Sequence, residues 1–305
     1  LPPEFGFPAV VKPLDLSASR GVIRVDDGEQ LTAAVERVEA IVADEGKCLA
    51  ESGFLVESFV SGPEVAVEGL LRDGVLEVLA IFDKPEPLEG PYFEESIYLT
   101  PSRLSESQQT ELVEMSAAAC LGLGLSEGAV HIELRVTGAG PVVIEVNPRA
   151  IGGLCSDVLK FGTGLTLEDL LLNHALGDRA PLPERVDRAA GVLMLSVGGG
   201  GTLERVEGIE AAEAVSGVER VAITAHPGQH LQKWPEGGAY PGFVFASGST
   251  VAEVERSLNA ANATLTLLSP NHLIRHNARP TLTFVNEKNE VYNSAAHNQT
   301  NKRSD

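Results

Sequence analysis

The sequence predicts an α+β fold in which strands joined by tight turns are combined with a few amphipathic helices. Short apolar runs are separated by turn signals, such as Asp73-Gly74 between two of the runs. Apolar residues recur at helical spacing in few segments, the first of them over residues 27–44. Further along, Ser105 followed by Gln108 forms a capping-box sequence that marks the start of another helix. We therefore expect antiparallel strands with helices packed on them.

The first half of the chain contains most of the predicted strands. FPAVVKP and GVIRV are expected to form a hairpin, with the small, polar loop LDLSASRG at its tip, and the helix over 27–44 follows. A loop rich in Pro, Glu and Gly runs over residues 83–95, and the helix after Ser105 extends to about residue 121. The remaining elements are the strands FLVESFV, EVAVEGLLR, GVLEVLAIF, GAVHIELRV and GPVVIEVN, and a helix from about Thr166 that Asp169 caps.

The second half of the chain begins with a linker, APLPERVDR, at residues 180–188. Beyond it, GVLMLSV, ERVAIT and YPGFVFA are predicted strands, and a helix runs from Thr250 to about residue 267, with Glu253 three residues after its cap. After residue 268 asparagine recurs and the apolar periodicity disappears. We expect residues 181–268 to form a small α+β module and 269–305 to be a largely disordered tail.

The composition argues against several classes of function. The chain has 305 residues, is 43% hydrophobic and carries a net charge of −20, so it can form about two domains and offers no basic patch for nucleic acid. No apolar run is long enough to span a membrane, and three widely spaced cysteines fit a reduced compartment. We expect a soluble, cytoplasmic protein with no nucleic-acid or membrane partner. Because a buried-looking strand follows almost directly after Leu1, we also expect an amino-terminal portion to be missing.

The segment VVIEVNPRAIGGL, residues 142–154, ends an apolar strand with three polar side chains at alternate positions. Glu145, Asn147 and Arg149 should share one face, because alternate residues of an extended chain point the same way. Pro148 also steers the residue before it toward extended geometry. A carboxylate, an amide oxygen and a guanidinium at the end of one strand suggest a divalent cation with an anion beside it.

The sequence HIELR adds a second carboxylate. Glu133 alternates with His131 and Arg135 on one face of a strand that should pair with the strand ending at Asn147. If these strands pair, Glu133 and Glu145 can share hard cations, with the Asn147 amide as a neutral oxygen ligand. A single carboxylate could be an edge residue that faces water. Two carboxylates on neighbouring apolar strands favour a metal site.

Lys12 ends the first strand just before a loop of small residues, Ser17 to Gly21. An ammonium group beside exposed backbone amides suits the phosphates of a nucleotide, although the loop lacks the Walker spacing. The alternative is a solvated hairpin tip with a lysine that extends to water. The loop has almost no apolar side chain to anchor it, so we expect it to be mobile without nucleotide.

The segment LVESFVSGPE carries two glutamates around a strand end and a tight turn. Glu57 and Glu64 could accept hydrogen bonds from an adenine amino group and from ribose hydroxyls. Phe59 and Val60 offer apolar walls and backbone groups to the base. Two surface glutamates at a hairpin would explain the same letters equally well.

Taken together and in this order, these segments resemble the ATP-grasp superfamily over roughly residues 5–178. The resemblance implies an ATP-grasp fold, in which two α+β subdomains hold ATP with Mg²⁺, or with Mn²⁺ in its place, and transfer the γ-phosphoryl group to a carboxylate. The resemblance implies that Lys12 binds phosphate and that a flap over the phosphates contains Ser17, Ser19, Arg20 and Gly21. Adenine would be bound by Glu57, Phe59 and Val60, and ribose by Glu64. The metal would be held by Glu133, Glu145 and Asn147, and Arg149 would hold the reacting carboxylate.

Within that superfamily the chain is most similar to amino-acid ligases that form dipeptides, because WPEGGAYPGFVFASGSTVAEVE resembles their carboxyl-terminal module. FDKP and YFEES stand where such enzymes build the acceptor pocket, so Lys84, Glu94 and Glu95 are candidate substrate contacts. Gly152 and Gly153 would let a substrate approach the backbone. For each of the three charged residues, a mobile acidic surface loop is an equal alternative.

The resemblance also gives a domain plan and a reaction. It implies a partial lid subdomain with the flap over residues 1–54, a core subdomain with the metal site over 55–180, the carboxyl-terminal module over 181–268 and the tail over 269–305. The expected enzyme joins a small carboxylate to an amine, and a homodimer is a further expectation. Two alternatives stay open: an enzyme of the biotin-carboxylase or purine-biosynthetic type that activates bicarbonate or formate, and a non-catalytic nucleotide-binding module.

Overall fold

A small antiparallel sheet with one long helix begins the fold. The computed structural model describes residues 5–269, 274, 283–285 and 291–293. The first elements are β1 (Ala9–Pro13), β2 (Ile23–Val25), α1 (Gly28–Asp44), α2 (Leu49–Ser52) and β3 (Phe54–Ser58). Strand β1 pairs with β2 on one side and with β3 on the other, so the predicted hairpin is present and the sheet has the order β2-β1-β3. The predicted boundary between residues 54 and 55 therefore cuts through β3, and the small sheet ends at Ser58.

Helix α1 covers the small sheet because both present apolar faces. Val11 and Val25 of the sheet pack in one cluster with Val38 of the helix, and all three are buried. Asp27 caps the helix by accepting a hydrogen bond from the backbone N–H of Gln30 at 2.9 Å. The capping boxes that were predicted at three other helix starts are present as well, at Ser105, Thr166 and Thr250.

An eight-stranded sheet forms the centre of the protein. In chain order, its first five strands and the helices between and after them are β4 (Glu64–Arg72), β5 (Val75–Lys84), β6 (Ile97–Thr100), α3 (Glu106–Gly122), β7 (Gly128–Thr137), β8 (Gly140–Asn147), a 3-10 helix (Cys155–Val158) and α4 (Leu167–Ala175). Strand β4 lies between β5 and β7, and β8 is at the edge of the sheet. β3 and β4 belong to different sheets, so the turn at residues 61–63 connects two subdomains and does not close a hairpin.

The carboxyl-terminal segment continues the same sheet. Its elements are β9 (Ala189–Met194), β10 (Gly201–Thr202), β11 (Arg205–Glu207), α5 (Ile209–Glu213), β12 (Val218–Ile223), β13 (His230–Leu231), β14 (Gly242–Gly248), α6 (Val251–Thr264), β15 (Thr266–Leu268), β16 (Thr283–Val285) and β17 (Val291–Asn293). Strand β9 pairs with β6, which completes the order β12-β14-β9-β6-β5-β4-β7-β8. Three strands of the module over 181–268, β9, β12 and β14, therefore belong to the central sheet, joined to the core by the short strand β6, which the sequence did not predict. The module's other strands form two small two-stranded sheets, β10 with β13 and β11 with β15.

The alternation of side chains along β4 decides which polar groups reach the interior. Val65 and Val67 face α3 and pack with Leu112, whereas Ala66 and Leu70 belong to the core cluster on the other side of the sheet. Glu64 and Glu68 alternate with the two valines and so lie on the face of β4 away from α3. Both glutamates are buried.

The end of the chain is described only in part. The predicted disordered tail over 269–305 falls mostly on residues outside those described, and the described part includes the antiparallel pair β16 and β17. Ile274 is buried and donates its backbone N–H to Leu267 at 3.1 Å. Across the described ranges, none of the helices combines the length and the apolar character needed to cross a membrane.

Candidate active site

A cleft of about 930 Å³ lies between the small sheet and the eight-stranded sheet. The small sheet contributes β1, β3 and the loop before β2, and the large sheet contributes β7 and β8 with the loop at residues 149–153. Gly21, Lys84 and Glu94 do not line it. The predicted site residues that do line it are Lys12, Ser17, Ser19, Arg20, Glu57, Phe59, Val60, Glu64, Glu95, Glu133, Glu145, Asn147, Arg149, Gly152 and Gly153.

Glu133 and Glu145 are directly opposite each other on the paired strands β7 and β8, as the alternation predicts. Burial raises the pKa of Glu145, and the neighbouring Glu133 carboxylate raises it further. Asn147 lies one strand repeat further along, and its side-chain amide is close enough to the Glu145 carboxylate to oppose this rise in pKa. A hard divalent cation would relieve the repulsion between the carboxylates, so this oxygen-rich set fits Mg²⁺ or Mn²⁺. Because β8 is an edge strand, Glu145 is reachable from solvent.

Glu133 also belongs to a network of buried and partly buried charges that we call the acidic floor: Glu64, Lys84, Glu95, Glu133 and Arg135. The Lys84 ammonium nitrogen lies 2.7 Å from Glu64, 2.5 Å from Glu95 and 3.4 Å from Glu133. Burial alone would lower the pKa of Lys84, but its carboxylate partners raise it well above its usual range. Lys84 is thus a buried ion-pair partner at the end of β5 that does not line the cleft. This corrects both alternatives given for it, a substrate contact and a residue of a mobile surface loop.

Arg135 fixes the other end of the acidic floor. Its Nε donates to Glu64 at 3.0 Å and its Nη1 donates to the Val60 carbonyl at 2.8 Å. Its guanidinium also lies 5.1 Å from the centre of the Phe59 ring. Glu64 therefore forms ion pairs with Lys84 and Arg135, which the prediction of Glu64 as a simple ribose acceptor did not include. The sequence predicted that Arg135 shares a strand face with Glu133, but it did not predict the contact of Arg135 with Glu64.

Lys12 and Glu57 form a pair across β1 and β3. Their charged atoms lie 2.5 Å apart, and both side chains are partly accessible from the cleft. The structure thus brings the predicted phosphate lysine and the predicted adenine-binding glutamate into contact with each other. An exposed pair of this kind is weak enough to exchange its partners for a charged ligand.

The flap, residues 17–21, is anchored by residues from the carboxyl-terminal segment. Trp234 donates its indole N–H to the Ala18 carbonyl at 2.9 Å, and Arg20 donates to the Glu236 carbonyl at 2.7 Å. Gly21 donates to the Pro235 carbonyl at 2.9 Å, with a positive φ of 73° that favours glycine. These polar anchors lie more than 200 positions away in the sequence and could not be predicted from the loop itself. Mobility of the loop without nucleotide stays a prediction.

The loop that follows the metal-type residues lies at the mouth of the cleft. Arg149 is exposed, and its Nη1 donates to the Ala150 carbonyl at 2.8 Å. A side chain at Gly153, whose φ is +64°, would place its Cβ 3.1 Å from the Phe243 ring on β14. The glycine thus lets the loop approach the carboxyl-terminal strand.

The far end of the cleft is largely apolar and comes from distant parts of the sequence. Tyr98 donates its hydroxyl to Glu95 at 2.5 Å, and the Tyr240 hydroxyl accepts from the Glu95 backbone N–H at 3.2 Å. Cys155, Met194 and Phe243 line the cleft as well. The sequence predicted a site role for none of these five residues, and it indicated Cys155 only as a packing residue. Glu94 points elsewhere, since it accepts a hydrogen bond from the Val197 backbone N–H at 3.2 Å. Its prediction as a substrate contact is not supported by this geometry.

Comparison with known proteins identifies the family. Residues 5–158 match the family of ATP-grasp domains. The chain belongs to the ATP-grasp family. Residues 193–267 of this ATP-grasp protein match a second family, the L-amino acid ligase C-terminal domain 2. The prediction of an ATP-grasp fold with an amino-acid-ligase module is thereby confirmed.

Individual relatives of this ATP-grasp protein are amino-acid ligases. The crystal structure of an L-amino acid ligase from Bacillus licheniformis is similar with a TM-score of 0.77 and 33% identity, covering 88% of this chain and 66% of that chain. Alanine–anticapsin ligase of Bacillus subtilis (strain 168) is 31% identical over 59% of this chain and 41% of the relative. Carnosine synthase 1 of Homo sapiens is 36% identical over 47% of this chain and 17% of the relative. The chain thus spans less than half the length of these two curated relatives.

Proposed function

We propose that this protein is an ATP-dependent ligase that joins a carboxylate to an amine, both of them amino acids, and releases ADP and phosphate. One observation carries the proposal: the carboxyl-terminal segment that matches amino-acid ligases contributes Tyr240 and Phe243 to the same cleft as Glu133, Glu145 and Arg149. The family supports ATP and Mg²⁺ as cofactors. The cytoplasmic location and the homodimer stay predictions.

The proposed reaction has two steps. A carboxylate oxygen of the first amino acid attacks the γ-phosphorus of ATP, and ADP leaves. The amino group of the second amino acid then attacks the acyl carbon, and phosphate leaves as the new C–N bond forms. When bound at Glu133, Glu145 and Asn147, Mg²⁺ would neutralise phosphate charge so that the anionic carboxylate can approach.

The protein's own groups would bind and orient the reactants. Lys12 would exchange Glu57 for a phosphate, since both groups reach the cleft. Arg149, which is exposed and donates to the neighbouring Ala150 carbonyl, would bind the carboxylate with its planar fork and later the oxyanion. The flap, clasped by Trp234, would exclude water that otherwise hydrolyses the acyl phosphate.

The test is ADP release by the full-length protein with single amino acids and pairs of amino acids. We expect pairs to stimulate release, and we expect Glu145→Gln to weaken MgATP binding or abolish turnover, because the metal site loses one charge. Stimulation by bicarbonate and not by amino acids would support the carboxylase alternative instead. Binding of ATP without turnover under all conditions would support a nucleotide-binding module.

A further inference from the structure

Glu68 is a fully buried carboxylate in the middle of β4, and it does not line the cleft. It lies opposite His131 in the pairing of β4 with β7, and Ala66 lies opposite Glu133 one strand repeat away. Burial raises the pKa of Glu68, which reflects the cost of a charge in this position. A buried carboxylate that is kept despite this cost has partners that an apolar residue could not bind.

The two oxygens of Glu68 reach two different parts of the cleft wall. Oε1 accepts a hydrogen bond from the Ile151 backbone N–H at 3.0 Å, inside the loop at residues 149–153. Oε2 lies 3.0 Å from Nδ1 of His131, whose Nε2 lies 3.3 Å from Oε1 of Glu133. The buried Glu68 side chain therefore connects the loop that carries Arg149 with the Glu133 carboxylate, through His131.

We propose that Glu68 is a positioning residue that fixes Glu133, through His131, relative to the loop at residues 149–153. This inference rests on the proposed function, since Glu133 is the proposed metal ligand and Arg149 the proposed carboxylate-binding residue. Fully satisfied buried polar networks hold their members in one arrangement. Groups that orient a metal-binding side chain typically change metal affinity when they are lost.

Three variants separate the two branches of this network. In Glu68→Gln, the amide oxygen can still accept from Ile151, and the amide nitrogen can donate to Nδ1 of a neutral His131 that donates from Nε2 to Glu133. In Glu68→Met, the side chain has a similar length but loses both contacts, the one with the Ile151 backbone N–H and the one with His131. The double variant Glu68→Gln/His131→Phe keeps the Ile151 bond and loses only the branch to Glu133, without leaving an unpaired buried charge.

The first measurement is the affinity of the full-length protein for Mn²⁺ in the presence of a non-hydrolysable ATP analogue. The electron paramagnetic resonance signal of free Mn²⁺ reports how much of the metal is unbound. We expect Glu68→Gln to bind within about threefold of wild type, and Glu68→Met and the double variant to bind about tenfold or more weakly. The second measurement is hydrogen exchange at residues 149–153. Protection should fall in Glu68→Met and persist in both proteins that carry Gln at this position.

The outcomes distinguish positioning from general stabilisation. A purely structural Glu68 would lower the urea midpoint of Glu68→Met but leave the Mn²⁺ affinity of its folded form at the wild-type value, and that result would overturn the proposal. Unchanged protection at residues 149–153 in Glu68→Met, or no Mn²⁺ binding by wild type, would also overturn it. If the expected pattern appears but wild type releases no ADP with any amino acid, the positioning role stands and the proposed ligase is wrong.

Discussion

The acidic floor and the flap are parts of one cleft, but they are held by different means. The floor consists of three buried side chains, Glu64, Lys84 and Arg135, with the partly buried Glu95 and Glu133 around them. Glu64 and Arg135 are opposite each other on the paired strands β4 and β7. The flap is held by backbone carbonyls and an indole N–H from the segment around Trp234, 216 positions from Ala18. A side-chain ion pair of the flap, between Arg20 and Glu45, is exposed to solvent.

This difference indicates which part of the cleft is fixed and which can open. The buried Lys84 ammonium holds three carboxylates at once and has no water to replace them, so the floor around it keeps one geometry. Hydrogen bonds at the surface exchange with water at a small net cost, so the flap can release its anchors and close again. The following predictions test this contrast, from the largest expected effect to the smallest.

Lys84→Met should have the largest effect, because it leaves Glu64, Glu95 and Glu133 without their shared cation. We expect the free energy of unfolding to fall by about 3–5 kcal/mol, as when one partner of a buried ion pair is removed. Urea denaturation measures it. Lys47→Met, on an exposed lysine, is the control and should change stability by less than about 0.5 kcal/mol. Equal effects of the two substitutions would contradict a fixed floor.

Arg149→Lys should reduce activity without affecting the floor, because the Arg149 side chain is exposed and bonds to the adjacent Ala150 carbonyl, not to a floor residue. The change keeps the charge and loses the planar fork, so amino-acid-dependent ADP release should fall by a factor on the order of 10² or more while ATP affinity hardly changes. Steady-state assays and calorimetric titration measure the two quantities, with Arg205→Lys, at an exposed site, as control. A parallel loss of ATP affinity would make Arg149 a nucleotide contact and not a carboxylate-binding residue.

Trp234→Phe should loosen the flap and leave the floor unchanged. The ring keeps its packing against Tyr240, with centroids 4.9 Å apart in the native protein, but the hydrogen bond to Ala18 is lost. One such bond contributes about 0.5–1.5 kcal/mol, so exchange at residues 17–21 should speed up by about two- to tenfold. Hydrogen exchange with and without MgATP measures this, and β4 serves as the internal control. If β4 loses protection to the same extent, the hydrogen bond from Trp234 to Ala18 stabilises the whole core and does not hold the flap alone.

Glu45→Gln should have the smallest effect of the four. It weakens only the solvent-exposed pair with Arg20, while Arg20 keeps its bond to the Glu236 carbonyl. We expect flap exchange and the KM for ATP to match wild type within the error of each assay. An effect larger than that of Trp234→Phe would show that the ion pair between Arg20 and Glu45 holds the flap, and not its hydrogen bonds with residues 234–236.

The sequence alone predicted the parts of this protein that depend on local periodicity. Alternation placed Glu145 and Asn147 on one face, and capping boxes at Ser105 and Thr166 marked helix starts that the structure confirms. These signals persist in a single sequence because they come from bonds and side-chain directions within a few residues. The ATP-grasp fold was predicted differently, from the resemblance of the motifs around Lys12 and Glu133 to a known superfamily, and the family match confirms it.

The tertiary structure alone decided the partners of buried charges and the anchors of loops. Lys84 was read as part of an acidic surface loop, yet the joining of β5, β6 and β9 into one sheet buries it among three carboxylates. Glu68 carried no signal in the sequence, since its role depends on Ile151, 83 positions away. Such contacts depend on which strands pair and in which register, and that choice is made by the whole core, not by the residues around each charge.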